Sequence, residues 1–198
     1  MRIQAVPGGD EVIPVINQLR RDRRFDQVFF SQDWHPETHC SFAVNNKDAD
    51  GNPAKVMDVK VLDGIKQVMW PTHCVQNSDG AQIHPDILRL EDDIVVRKGN
   101  NRRFDSYSAF QDNGGYVKTE LERELKKKNV TELYVCGLAT DFCVSFSVLD
   151  AVERGFRTYF IEDASRGIDP KTTQEAIDKM RESGVTIVQS RDVPPLGQ

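Results

Sequence analysis

Short apolar runs alternate with amphipathic stretches along most of this chain. Gln27-Val-Phe-Phe-Ser31, Asp93-Ile-Val-Val-Arg-Lys98, Leu133 to Cys136, Arg157-Thr-Tyr-Phe-Ile161 and Val185 to Val188 each read as a buried strand. Between and around them the apolar positions change to a helical period. Val12, Ile13, Ile16 and Leu19 follow Asp10, a candidate cap, with Pro14 near enough to the first turn to be tolerated. Leu121 with Leu125, then Val144, Val148 and Ala151, then Ala176, Ile177 and Met180 mark three further helices. Runs that are apolar throughout, rather than alternating, belong to strands covered on both faces. The pattern therefore predicts an α/β fold, a three-layer αβα arrangement around a mainly parallel sheet. Its first element is a helix, where such a sheet normally opens with a strand.

Residues 45–68 break the alternation and read as a surface excursion. Asn46-Lys-Asp48-Ala-Asp50-Gly51 within it looks like a calcium loop. The twelfth position, where such a loop needs a bidentate Glu, is Met57, and Pro53 interrupts the run. The 198 residues fit one domain, 1–198, with this excursion as an insertion.

Composition narrows the function. A net charge of -5 argues against a general nucleic-acid binder, and the basic runs Arg20 to Arg24 and Lys126 to Lys128 sit where cations suit helix ends. No apolar run reaches membrane-spanning length and the first residues lack a signal-peptide core, so the expectation is a cytoplasmic protein without a membrane partner. The four cysteines, at 40, 74, 136 and 143, show no Cys-x-x-Cys spacing and predict neither a disulfide framework nor a zinc ribbon.

Candidate chemistry gathers at the carboxyl ends of the strands, where binding groups collect in open α/β sheets. One end carries Asp33 and His35, a second Lys98, and a third leads through Gly137 to Asp141 into a helix with Cys143 in its first turn. Helix N-termini favour a thiolate and present N–H groups for an oxyanion. That display suits an acyl-transfer nucleophile, and equally a core cysteine of a βα unit. Asp33-x-His35 with His73 is a plausible mixed oxygen and nitrogen metal site, while His84 reads as a structural histidine.

Four motifs together resemble the nicotinamidases of the isochorismatase-like cysteine hydrolases. They are Asp33-Trp-His-Pro-x-x-His-x-Ser-Phe42, Trp70-Pro-x-His-Cys-Val75, Lys98-Gly99 followed by Asp105-Ser-Tyr-Ser-Ala-Phe110, and Gly137-Leu-Ala-Thr-Asp-x-Cys-Val144. The resemblance implies that Cys143 attacks the carboxamide of nicotinamide in NAD salvage, supported by Lys98, with the N–H groups of Ala139 and Cys143 as oxyanion hole. It further implies a cis peptide at Leu138-Ala139. Asp33, His35 and His73 would hold one divalent ion, commonly zinc, with iron or manganese as alternatives, and Trp70 would pack on the pyridine ring. His39, a ligand in some members only, stays open, as does assembly into a homo-oligomer.

The family pattern opens with a strand ending in an acid/base aspartate, in a motif like Asp-x-Gln-Asn-Asp-Phe, and this chain begins at the turn that follows. The expectation is a sheet with its first strand missing, unpaired backbone groups beside the gap, and feeble activity. A start site placed downstream, a shortened form and a non-catalytic relative all fit this. Another amide-cleaving cysteine hydrolase and an inert metal- or ligand-binding protein remain the competing functions.

Overall fold

The computed structural model describes residues 6–22, 25–48 and 50–195, so part of the basic run, Arg23 and Arg24, lies outside the described residues. In chain order the elements are α1 (Val12–Asp22), β1 (Phe29–Asp33), β2 (Val59–Leu62), β3 (Ile65–Val68), β4 (Ile94–Lys98), α2 (Leu121–Lys127), β5 (Glu132–Leu138), α3 (Ser145–Glu153), β6 (Arg157–Arg166), α4 (Pro170–Glu182) and β7 (Thr186–Val188). Every apolar run read as a strand is one.

The main strands pair in parallel, β1 with β4 and β5 with β6 and then β7. Parallel ladders need both faces covered, and the core supplies this in layers. Val96, Phe110, Leu121, Leu125 and Phe156 pack on one side. Val144, Val148, Phe160, Ile177 and Met180 bury α3 and α4 against β6. Leu19 of α1 meets Ile161, Ala164 and Val193. Asp169 caps α4 by accepting from the N–H groups of Lys171 and Thr172, with Pro170 in its first turn.

Among the described residues the parallel sheet is split. β4 pairs only with β1, and β5 only with β6. A cleft of about 2000 Å³ separates the two ladders, lined by Val96 and Lys98 on one side and by Leu133, Val135 and Leu138 on the other. Among the described residues the facing edges of β4 and β5 therefore carry no ladder partner.

Three local expectations need correction. Asp10 does not cap α1: it lies inside a 3-10 turn, Gly9–Glu11, whose cap is Gly8 in the left-handed region at φ 65°. β1 runs two residues later than its apolar run, because pairing with β4 through Asp33↔Lys98 carries the ladder into the polar segment. The excursion is not wholly irregular: β2 and β3 form an antiparallel hairpin, unreadable from periodicity because Val59 and Val61 of β2 face solvent. No helix among the described residues is long and apolar enough to cross a membrane.

Candidate active site

Register builds half of the site. Asp33 and Lys98 end β1 and β4 and sit opposite each other. Their side chains form an ion pair with Oδ1 and Nζ 2.6 Å apart. Lys98 is only 3 % exposed and also donates to the Ser106 carbonyl at 2.7 Å and to Cys143 Sγ at 3.2 Å. The ammonium thus makes two hydrogen bonds and one close ion pair. Burial works against the charge of Lys98, but Asp33 and Cys143 outweigh it and hold its pKa above the ordinary range. Burial likewise opposes ionisation of Asp33, and Lys98 and His35 reverse this, holding the carboxyl well below the usual range.

A turn builds the other half. After β5 the backbone passes a cis peptide at Leu138-Ala139, as expected, and winds through one π-helical turn, Thr140–Val144, before α3 begins at Ser145. The Ala139 carbonyl accepts from both Phe142 N–H and Val144 N–H at 3.1 Å. π-turns are uncommon and gather at functional sites. Two side chains pin this one. Asp141 accepts from Ile168 N–H at 3.0 Å and from Thr172 Oγ1 at 2.7 Å, tying the turn to the start of α4. Ser147 Oγ donates to the Cys143 carbonyl at 2.6 Å and accepts from Ala109 N–H at 2.8 Å. The helix position of Cys143 by itself favours a thiolate, but its surroundings favour the thiol. Burial pushes its thiol up to about 11, with Lys98 pulling the other way.

Asp33, His35 and His73 offer ligand atoms within 4.8 Å of one another. The Gly99 carbonyl lies 2.8 Å from His35 Nδ1, and the Pro71 carbonyl 2.8 Å from His73 Nδ1. A carbonyl only accepts, so in both rings Nδ1 carries the proton and Nε2 is left with its lone pair. Two orientated imidazole lone pairs and a carboxylate are a donor set suited to a divalent ion. Burial and His35 lower the pKa of His73, against the pull of Asp33.

Gly99 makes this possible. It sits at φ 66°, and an added Cβ would lie 2.3 Å from the His35 ring. His39 groups with His35 and Asp105 rather than with Asp33 and His73. It is fully buried, its ring centroid is 4.2 Å from that of His35, and burial lowers its pKa to about 4.

Trp70 forms an aromatic wall with two partners that sequence reasoning did not single out. Phe142, beside the cysteine, meets it edge-on at 4.8 Å, and Trp70 Nε1 donates to Tyr107 Oη at 3.2 Å. The signals were present, since Tyr107 lies in the quoted Asp105 motif and Phe142 precedes Cys143. Nothing in a single sequence says that two loops so far apart will meet.

Comparison with known proteins agrees with this geometry. Residues 2–192 match the isochorismatase domain. The nicotinamidase of Escherichia coli is 43% identical over 187 residues, covering 92% of this chain and 85% of its own. A nicotinamidase/pyrazinamidase structure from Acinetobacter baumannii superposes with a TM-score of 0.89 at 40% identity, covering 96% of this chain and 89% of its own. A pyrazinamidase from Pyrococcus horikoshii, solved in complex with zinc, gives 0.72 at 33% identity over 93% of this chain and 88% of its own. The chain belongs to the nicotinamidase branch of the isochorismatase family.

Proposed function

We propose that this protein is a cysteine amidohydrolase that converts nicotinamide to nicotinate and ammonia. The observation that carries the proposal is the contact chain Asp33–Lys98–Cys143 around a buried lysine, 2.6 and 3.2 Å long, beside the aromatic wall and the Asp33, His35 and His73 donors. Cys143 Sγ attacks the carboxamide carbon, and the C–N bond breaks as the nitrogen takes a proton and leaves as ammonia. Water then cleaves the thioester C–S bond to give the carboxylate. A primary amide is a poor electrophile, so the developing oxyanion needs donors, for which the N–H groups of Ala139 and Cys143 are the candidates.

Lys98 remains a cation throughout and favours the thiolate over the thiol. The proton the thiol gives up is the one the leaving nitrogen takes, and Asp33, with Oδ1 2.6 Å from Nζ, holds the Lys98 ammonium against the sulfur. Asp33, His35 and His73 would hold one divalent ion, for which zinc in the pyrazinamidase relative is the precedent. When bound, that ion supplies a Lewis-acid anchor for the ring nitrogen, and Trp70 with Phe142 flanks the ring. A role in NAD salvage and a cytoplasmic setting follow from the same reading.

The test is ammonia release from nicotinamide with bound metal quantified, beside a Cys143→Ala variant. Release that needs metal and is lost in the variant supports the proposal. Equal release by the variant, or release only from amides without a pyridine ring, sinks it.

A further inference from the structure

One buried carboxylate at the site has no part in the chemistry above. Asp105 is 4 % exposed, in the loop between β4 and α2. Its Oδ1 accepts from Ser106 N–H at 2.8 Å and its Oδ2 from Gln67 Nε2 at 3.0 Å. Its backbone carbonyl accepts from Asn113 N–H at 2.7 Å, and Asn113 Oδ1 accepts in turn from Tyr107 N–H at 3.0 Å. The turn 105–107 is therefore clasped from both sides.

Two groups of the site hang from this clasped turn. The Ser106 carbonyl holds Lys98 Nζ at 2.7 Å, which sets the ammonium against Cys143. Tyr107 Oη holds Trp70 Nε1 at 3.2 Å and also accepts from Gln67 Nε2 at 3.2 Å. Behind them, Asp105 Oδ1 faces His39 Nε2 at 4.0 Å, and that nitrogen has no hydrogen-bond partner among the described residues.

We propose that Asp105 is a positioning residue that sets the nucleophile's lysine and the aromatic wall from one point. The inference rests on the reading of Cys143 as nucleophile and Trp70 as ring wall. The chemistry demands a carboxylate here because two donors, one a fixed backbone N–H, converge on one side chain. An asparagine must turn its Oδ1 to Ser106 and its Nδ2 to Gln67, which sets donor against donor. Gln67 then has to flip. Its Nε2 also serves Tyr107 Oη and, at 2.8 Å, the Val68 carbonyl, so the flip withdraws it from both. The disturbance reaches Trp70 through Tyr107.

The two arms separate by mutation. Gln67→Leu removes the bridge to Tyr107 and leaves the Ser106 bond intact, so KM for nicotinamide should rise about tenfold with kcat held within twofold. Asp105→Asn touches both arms and should raise KM and lower kcat, each about tenfold, with melting cooperativity and metal content retained. In a Trp34→Phe background, acrylamide quenching of Trp70 should increase in both variants, and this readout needs no turnover. If the wild-type chain shows no Cys143-dependent hydrolysis, the functional reading fails while the quenching measurement still tests the clasp. Unchanged quenching in both variants overturns the proposal, and so does a parallel change of KM and kcat in Gln67→Leu. Should Asp105→Asn fail to fold, the Gln67→Leu split and its quenching decide alone.

Discussion

On the β1–β4 side of the site the chemical groups are set by strand register, whereas on the β5 side the nucleophile is set by a single turn. Asp33 and Lys98 face each other because the two strands are in phase, and the loop carbonyl of Ser106 only steadies the ammonium that register has already placed. Cys143 has no such ladder beneath it. It is held by side chains at a distance in sequence, Asp141 reaching α4 and Ser147 reaching Ala109. The difference teaches how the site divides its labour. Register supplies a rigid, permanently charged wall, and the turn supplies a neutral thiol that becomes reactive only when that wall and a substrate act on it. One side stores charge and the other withholds it.

The most severe way to break this comparison is to remove what the turn presents. Cys143→Ala should lower nicotinamide hydrolysis by about 10⁴-fold or more while leaving bound metal unchanged, measured by ammonia release and metal analysis. Residual activity within tenfold would mean that the turn does not carry the chemistry.

Next comes protonation. With the thiol pushed up to about 11, the neutral form dominates at pH 7. The thiolate fraction then grows about tenfold per pH unit, so alkylation of Cys143 by iodoacetamide should climb about 10³-fold from pH 7 to 10 without levelling. The rate is read as the difference from Cys143→Ala, which removes the contribution of the other cysteines. A plateau by pH 8 would show that Lys98 outweighs burial and that the thiolate is the resting form.

The register side is tested at Gly99. An alanine there meets the His35 ring at 2.3 Å and strains a backbone at φ 66°, so His35 must turn off the Gly99 carbonyl. Metal affinity should fall about 10- to 100-fold by competition with a chelator, with Cys143 alkylation unaffected. Coupled loss of both would mean that the two sides are not independent.

Smallest is the pin of the turn itself. Asp141→Asn keeps one acceptor for the N–H groups of Ile168 and Asp169 but weakens a hydrogen-bonded carboxylate that is 9 % exposed. A loss of about 1–3 kcal/mol in stability is expected by denaturant titration, with hydrolysis reduced several-fold because Cys143 is less well aimed. A stability loss without any effect on rate would make Asp141 a packing residue only.

Much of this architecture was legible before any coordinates. Apolar runs of three or four residues announced buried parallel strands, and the switch to helical spacing announced the layers that cover them. The placement of Asp33, His35, Lys98 and Cys143 at strand ends followed from the same pattern, because an open α/β sheet gathers its groups at one edge. Illegible were features with no periodic signature. The β2–β3 hairpin turns Val59 and Val61 outward, so the apolar side faces the wrong way for a pattern search. Asp10 falls inside a 3-10 turn that precedes α1, a turn with no periodic signature of its own.

The amino-acid sequence by itself determined which chemical groups are available and which strand end each occupies, since both depend on local order along the chain. Tertiary structure alone decided how those groups act on one another. Burial turned a cysteine suited to ionisation into a resting thiol, since desolvation grows with surroundings that no local pattern encodes. Long-range packing brought Asp105 and Gln67 behind Tyr107 and Trp70, across a separation of 38 residues between the carboxylate and the amide.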